Sequence, residues 1–345
     1  MSFRFLLNVC LFTLLQLHVS AIHAQDNFVP GARTIIDAHN CYPYNGQWAD
    51  RIDRALATGT PIGIEQDLVW YRDANAGASH SVLSHDLHPR GDEPTLESYF
   101  FTKIKPIIES ELKHPHPETW PIITLNLDFK TTEVEHLRAI RDVLEQHKKW
   151  LTTATKTATS IPLQPLHKAP VLVFVGPSSA EEKVFYQEVA VGAPLLAFGG
   201  VHVLANDNTT QVDELESMPA DNFHRWWNNP WTVVEAGGAS KAGPWSEQAE
   251  QRLRSLIEHA HRQHLWIRFY TIDGETAEVA KANGWFDTYN FRSVDEARKR
   301  IAALAHYRAD WIATDQYESA KSIVRGTTRV EFATNTPTPY LVPNP

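Results

Sequence analysis

Short apolar runs alternate along the chain with stretches whose apolar residues recur at helical spacing. Residues 34–38, 62–70, 121–129 and 171–175 are runs of strand length, and the mostly apolar 62–70 suits a parallel strand covered on both faces. Trp48, Ile52, Ala55 and Leu56 recur at i, i+4, i+7 and i+8, a short amphipathic helix closed by Gly59 and Pro61. Val82-Leu83 reads as a short strand delivering His85, and 95–112 as a helix that Pro106 breaks or kinks. Thr132 and Glu135 have the spacing of a capping box ahead of Val134, Leu137 and Leu144. Residues 152–169, rich in Thr, Lys and Pro, read as a surface loop.

Further on, 195–198 is expected as a fifth strand and 231–234 as a sixth, with Trp226, Trp227 and Trp231 packing in the core or under a loop. Residues 247–264 form a helix with Leu253, Leu256, Ile257 and Ala260 on one face. Residues 266–270 are a strand, Ser293 and Glu296 a second capping box, and 310–314 the last strand. Strands alternating with helices over this length predict an α/β fold with a parallel sheet. No Gly-rich phosphate loop follows the first strand. The economical architecture is a single (β/α)8 TIM barrel, regular or distorted, spanning 34–325.

The ends of the chain read differently. Arg4 precedes an apolar stretch, 5–19, too short to span a membrane, and Ser20-Ala21-Ile22-His23-Ala24 offers a small residue at a cut after Ala24. Residues 1–24 therefore read as a signal peptide, 25–33 as an exposed leader and 326–345 as a Pro-rich tail, which predicts a secreted or periplasmic protein without a further transmembrane segment. The formal charge of -9 argues against nucleic acid as a partner, since phosphate contacts need clustered Lys and Arg. Of the two cysteines only Cys41 survives cleavage, so no internal disulfide forms. Its place beside His39-Asn40 invites a nucleophile reading, weighed against that of a small buried hydrophobe.

Polar groups gather where barrel strands end. The first strand leads into His39 and Asn40, the second carries Glu65 and Asp67, the next loop presents His85, and the third strand carries Asp128 and Lys130. Three carboxylates and an amide oxygen are hard ligands, suited to Ca²⁺ or Mg²⁺ rather than zinc. Two histidines divide the work of base and acid, and a lysine neutralises an anion. Such a set fits phosphodiester cleavage, where charge grows on phosphoryl oxygens as a nucleophile attacks. Arg268, alternating with apolar neighbours in Trp266-Ile267-Arg268-Phe269-Tyr270, is a candidate substrate contact or half of an internal ion pair, and Asp315 a candidate to orient a histidine.

In His39-Asn40, Gly63-Ile64-Glu65-Gln66-Asp67-Leu68, Ser84-His85-Asp86, the 125–130 segment and the 309–315 segment, the chain resembles the PLC-like phosphodiesterase superfamily. That superfamily of TIM barrels includes glycerophosphodiester phosphodiesterases and phosphoinositide-specific phospholipases C. Glu65-x-Asp67 followed about 20 residues later by His85-Asp86 is the most specific part. The resemblance implies that His39 and His85 are the catalytic pair, that Glu65, Asp67 and Asp128 hold a divalent cation, and that the substrate is a small phosphodiester or a phospholipid. Asn40 stands where the glycerophosphodiesterases usually have Arg, as in eukaryotic-type phospholipases C, where an Asn there helps hold Ca²⁺; Asp128 stands where Glu is common. Three outcomes stay open: hydrolysis by water, cyclic phosphate formation by a substrate hydroxyl, and a barrel that binds an anionic ligand without turnover.

Overall fold

The computed structural model describes residues 29–43, 48–73, 77, 79–216, 218–283 and 285–328. The expected signal peptide, the first part of the expected leader and most of the expected tail lie outside the described residues. The strands in chain order are β1 (Ile35–Ala38), β2 (Ile62–Arg72), β3 (Ser79–Leu83), β4 (Ile123–Phe129), β5 (Ala154–Thr155), β6 (Val171–Val175), β7 (Pro194–Leu195), β8 (Phe198–Gly200), β9 (His224–Pro230), β10 (Trp266–Tyr270) and β11 (Trp311–Thr314). The helices are α1 (Arg51–Ala57), α2 (Thr102–Lys113), α3 (Val134–Gln146), α4 (Ser179–Glu182), α5 (Glu247–Arg262), α6 (Ala277–Ala282), α7 (Val294–His306) and α8 (Tyr317–Gly326).

Eight of the strands pair in parallel in the order β1, β11, β10, β9, β8, β6, β4, β2, and β1 pairs with β2 to close the ring. This is the expected (β/α)8 barrel, and it is distorted. Among the described residues no α-helix connects β8 to β9, and the β8–β9 register slips at Gly199/Gly200. β3 lies outside the ring, folded back antiparallel on β2. No described helix is long and apolar enough to cross a membrane.

Two apolar clusters follow from the alternation of the strands. One joins outward-facing strand residues to the helices. The other fills the barrel floor with Ile35, Leu172, Phe174, Phe198, Trp226, Trp266 and Trp311. There Phe174 stacks on Trp226 at 4.9 Å and meets Trp311 edge-on at 5.0 Å. The Trp311 indole N–H donates to Thr124 Oγ1 at 2.9 Å, which satisfies the polar edge of a buried ring.

Several local expectations change. The sixth barrel strand is His224–Pro230, and Trp231–Val233 is a turn of 3₁₀ helix. Asn228 and Pro230 look like turn residues in sequence, but Asn228 serves a partner inside the barrel, described below. The 195–198 run divides: Leu195 pairs with Ala154 in a small antiparallel ladder, and the barrel strand starts at Phe198. The 152–169 loop therefore contains β5. Helix α3 starts after Glu133 without a side-chain cap, so the Thr132–Glu135 box does not form. Helix α2 continues through Pro106, preceded by a π-helical turn at Glu97–Phe101. The Ser293–Glu296 cap forms through the Ser293 oxygen. The described part of the leader is docked: Gly31 N donates to Asp310 at 2.8 Å, and Arg33 donates to the carbonyls of Thr119 and Trp120. Trp226, Trp227 and Trp231 are buried, as expected.

Candidate active site

The site is built on an ion-paired layer above the aromatic floor. Asp37 on β1, Glu65 on β2 and Arg268 on β10 are all buried. Arg268 donates through Nε to Asp37 Oδ2, through one terminal nitrogen to Glu65 Oε2, and through the other to Asn228 Oδ1 at 2.9 Å. The guanidinium fork thus ties β10 to β1, β2 and β9 at a fixed angle. Of the two readings of Arg268, the structure shows the internal ion pair, with Asp37 and Glu65, in place of an open substrate contact. A Cβ on Gly63 would sit 2.7 Å from Asp37 Oδ1 and 2.9 Å from Thr124 Oγ1, so glycine at this place makes room for the Asp37 carboxylate. Burial raises the Asp37 carboxyl above its ordinary range even with Arg268 beside it.

Above this layer three carboxylates converge. Glu65 and Asp67 are two apart on β2 and face the same side. The parallel register sets Asp67 beside Asp128 on β4. One oxygen from each of Glu65, Asp67 and Asp128 lies within 4.8 Å of the others. Asp67 Oδ2 accepts the Tyr42 hydroxyl at 2.7 Å, while its Oδ1 is buried without a partner. Burial, and after it the charge of Asp128, pushes Asp67 well above the carboxylate range. Lys130 Nζ stands 2.8 Å from Asp128 Oδ2 and 3.1 Å from Asp67 Oδ2. Burial opposes the charge on Lys130, but the surrounding carboxylates more than offset it and raise its pKa. A convergent set of oxygen donors with one buried oxygen unpaired fits a hard divalent cation.

His39 follows β1 at the barrel mouth and is buried. Its Nδ1 lies 3.1 Å from Asp315 Oδ1 and its Nε2 3.8 Å from Glu65 Oε2. Burial disfavours the charged ring, but Glu65 and Asp315 outweigh it and hold the imidazole at about 9. Burial also acts on Glu65, where His39, Arg268 and Lys130 prevail and bring it to about 2. Asn40, in the left-handed region at φ 48°, turns its amide nitrogen to Asp315 Oδ1 at 3.2 Å. The Asn40 oxygen lies 3.2 Å from the same Tyr42 hydroxyl that bonds Asp67. Asn40 thus touches the carboxylate group through Tyr42 and holds Asp315 directly.

His85 is delivered by the β2–β3 ladder, in which Ser84 N donates to Asp67 O at 3.0 Å. The ring is half-buried and packs 5.0 Å from Phe286. Burial first, then the charge of Lys130, lowers its pKa, and the charges of Asp128, His39 and Glu65 also reach it. Phe286 packs 5.2 Å from Tyr289, and Tyr289 meets His39 edge-on at 5.3 Å, so an aromatic run joins the two histidines. Cys41 is fully buried and its thiol is pushed up by desolvation, which removes the nucleophile reading.

The structure thus brings His39, Glu65, Asp67, Asp128, Lys130 and His85 into one electrostatic neighbourhood, with Asn40 at its edge and Arg268 beneath. Sequence reasoning missed Asp37, Tyr42, Asp273 and Tyr289. Asp37 had a signal, a carboxylate inside the apolar run Ile35-Ile36-Asp37-Ala38. The aromatic residues had none, because they enter from loops.

No family model matches the chain, and no curated protein matches it. Among solved structures it is similar to a glycerophosphoryl diester phosphodiesterase from Parabacteroides distasonis, with a TM-score of 0.42 and 10% identity over 87% of each chain. It is also similar to a 7,8-dihydropteroate synthase from Vibrio fischeri, with a TM-score of 0.37 and 11% identity over 85% of this chain and 90% of that one. Likenesses of this size do not choose between the two activities.

Proposed function

We propose that the protein is an exported, metal-dependent phosphoric diester hydrolase acting on a glycerophosphodiester or a phospholipid head-group ester. The observation that carries this reading is the convergence of Glu65, Asp67 and Asp128 next to two histidines, His39 with its pKa pushed up by its surroundings and His85 with its pKa pushed down. Pairs of titratable groups pushed apart by their surroundings are the arrangement acid–base chemistry needs. His39 carries a proton to give, kept in place by Asp315 and Glu65. His85 is neutral near pH 7 and takes one. The nucleophile's proton goes to the neutral ring, and the leaving alkoxide receives the proton of the charged one. Lys130 lies where it can draw a phosphoryl oxygen toward the carboxylate group.

A Ca²⁺ or Mg²⁺ ion on Glu65, Asp67 and Asp128, when bound, would supply electrostatic stabilisation of the charge growing on the phosphoryl oxygens. Arg268 keeps Glu65 aimed upward, and Tyr42 does the same for Asp67. The signal-peptide pattern of the first 24 residues supports export to the periplasm or medium.

A second reading is favoured by one observation. Lys130 already sits between Asp67 and Asp128, an arrangement that suits a barrel binding an anionic ligand with no cation and no turnover. The deciding experiment incubates the mature protein with glycerophosphodiesters and phosphoinositides in Ca²⁺, Mg²⁺ or chelator, followed by phosphorus NMR. A monoester appearing only with a divalent cation supports hydrolysis, a persistent cyclic phosphate supports transfer to a substrate hydroxyl, and no turnover supports the binding barrel. His39→Ala and His85→Ala are each expected to lower the rate by about 10²–10⁴-fold; unchanged rates in both would overturn the assignment.

A further inference from the structure

Behind the His39–Asp315 contact lies a second buried acid, Asp273, on the segment that follows β10. It is 1% exposed. Its Oδ1 accepts the Thr314 hydroxyl at 2.5 Å and the Asp315 backbone N–H at 2.8 Å. These are the last residue of β11 and the residue that carries the carboxylate facing His39 Nδ1. The main chain of Asp273 is tied elsewhere. Its N–H donates to Tyr289 O at 3.0 Å, and its carbonyl accepts Phe291 N–H at 2.7 Å. Tyr289 is the ring that meets His39 edge-on.

One residue is therefore bonded to two of the imidazole's neighbours. Through its side chain it holds the backbone of the residue whose carboxylate lies behind the ring, and through its main chain it holds the backbone of the tyrosine that meets the ring edge-on. Asp273 Oδ2 is buried without a partner, and desolvation, followed by the charge of Asp315, raises the carboxyl to about 7. The accepting oxygen alone makes both side-chain bonds, so an amide at this place keeps them.

We propose that Asp273 is a positioning residue that clamps His39 by holding Asp315 and Tyr289 in register with one another. The catalytic part of this inference rests on the phosphodiesterase reading; the geometric part does not. A small displacement of a proton-transferring ring costs up to about 100-fold in rate, so loss of the clamp should appear in kcat with KM little changed.

The test uses the full mature protein and compares Asp273→Ala, Asp273→Asn and Asp315→Asn, with thermal melts to register folding. The first readout is the downfield proton of His39 Nδ1–H in NMR, identified by its loss in His39→Gln. Asp315→Asn should shift it strongly, Asp273→Ala should shift and broaden it, and Asp273→Asn, which keeps the accepting oxygen, should restore it. The second readout is turnover: a fall in kcat of about 10- to 100-fold for Asp273→Ala, recovered to within about threefold by Asp273→Asn. An unaltered resonance in Asp273→Ala, or a lowered melting temperature with kcat unchanged, overturns the proposal. If the wild-type protein turns over no phosphodiester, the functional reading fails while the resonance still decides whether Asp273 clamps His39. If Asp273→Ala does not fold, Asp273→Asn and Asp273→Ser take its place. The clamp then predicts that Ser, which cannot reach both donors, behaves as the weakened variant, and equal behaviour of Ser and wild type refutes it.

Discussion

The two ends of the barrel interior solve the same packing problem with opposite chemistry. The floor is filled by Trp226, Trp266, Trp311, Phe174 and Phe198, whose faces and edges fit one another. The mouth is filled by Asp37, Glu65, Asp67, Arg268, His39 and Asp315, also buried but charged. Apolar burial stabilises by about 25 cal/mol per Å² whatever the pH or the divalent-cation concentration. Burying charge costs free energy that only partners recover. The floor's contribution is therefore fixed, whereas the mouth's depends on what occupies it. Asp67 Oδ1 has no partner at the mouth, and the Trp311 indole N–H at the floor has one.

This contrast can be broken from either side. Trp311→Ala should cost about 3–5 kcal/mol of unfolding free energy, read by urea titration, and added Ca²⁺ or Mg²⁺ should not restore the lost packing. Arg268→Met should cost a similar amount, about 3–5 kcal/mol, because Asp37 and Glu65 lose their buried partner. Here a divalent cation should restore part of the loss. If both variants respond alike to cation, the division between floor and mouth is wrong.

A third buried region sharpens the comparison. His136 is buried like His39 but surrounded by hydroxyls and rings: Ser81 Oγ lies 2.8 Å from Nε2 and Thr131 Oγ1 3.0 Å from Nδ1, and Trp70 stacks at 5.4 Å. Burial lowers its pKa to about 4. In the unfolded chain the ring titrates near 6.5, so the unfolded state binds the proton first as pH falls. The contribution of His136 to stability is fully present above about pH 6.5, declines toward pH 4 and levels off below it, by about 3 kcal/mol in all. Urea unfolding across this range should show the decline, and His136→Gln should flatten it.

The smallest effect tests the mouth alone. The raised pKa of Asp67 means that burying this carboxyl costs stability at neutral pH when no cation is present. Asp67→Asn should raise the cation-free unfolding free energy by about 1 kcal/mol and abolish stabilisation by Ca²⁺ or Mg²⁺. A lower melting temperature in chelator would count against the excess of charge described here.

The outline of the barrel was legible because parallel strands buried on both faces read as apolar runs, and those of β2, β4, β6, β10 and β11 stand out from their surroundings. It faded where an inward position is polar. Asn228 and Asn229 break the apolar pattern of β9, so the sixth strand was expected at 231–234, although Asn228 is a partner of Arg268. The carboxylate group was legible from the two-residue spacing of Glu65 and Asp67, which any strand converts into a shared direction. The role of Arg268 was not, since alternation places it inside the barrel without saying which acids wait there. Asp273 and Tyr289 were invisible because their positions depend on how the segment after β10 returns across the mouth.

On the metal-dependent reading proposed above, Lys130 would give cation entry the character of an exchange. Its ammonium stands against both Asp67 and Asp128. An incoming ion would have to evict a tethered rival rather than fill a hole. A monovalent ion offers the carboxylates no more charge than the amine does and gains little by displacing it, whereas a divalent ion gains one unit at each exchange. The tether would also keep a displaced amine close by, within reach of an anion that followed the metal in. Selection for charge, and the order of arrival of cation and substrate, would then be set by one side chain two residues beyond Asp128.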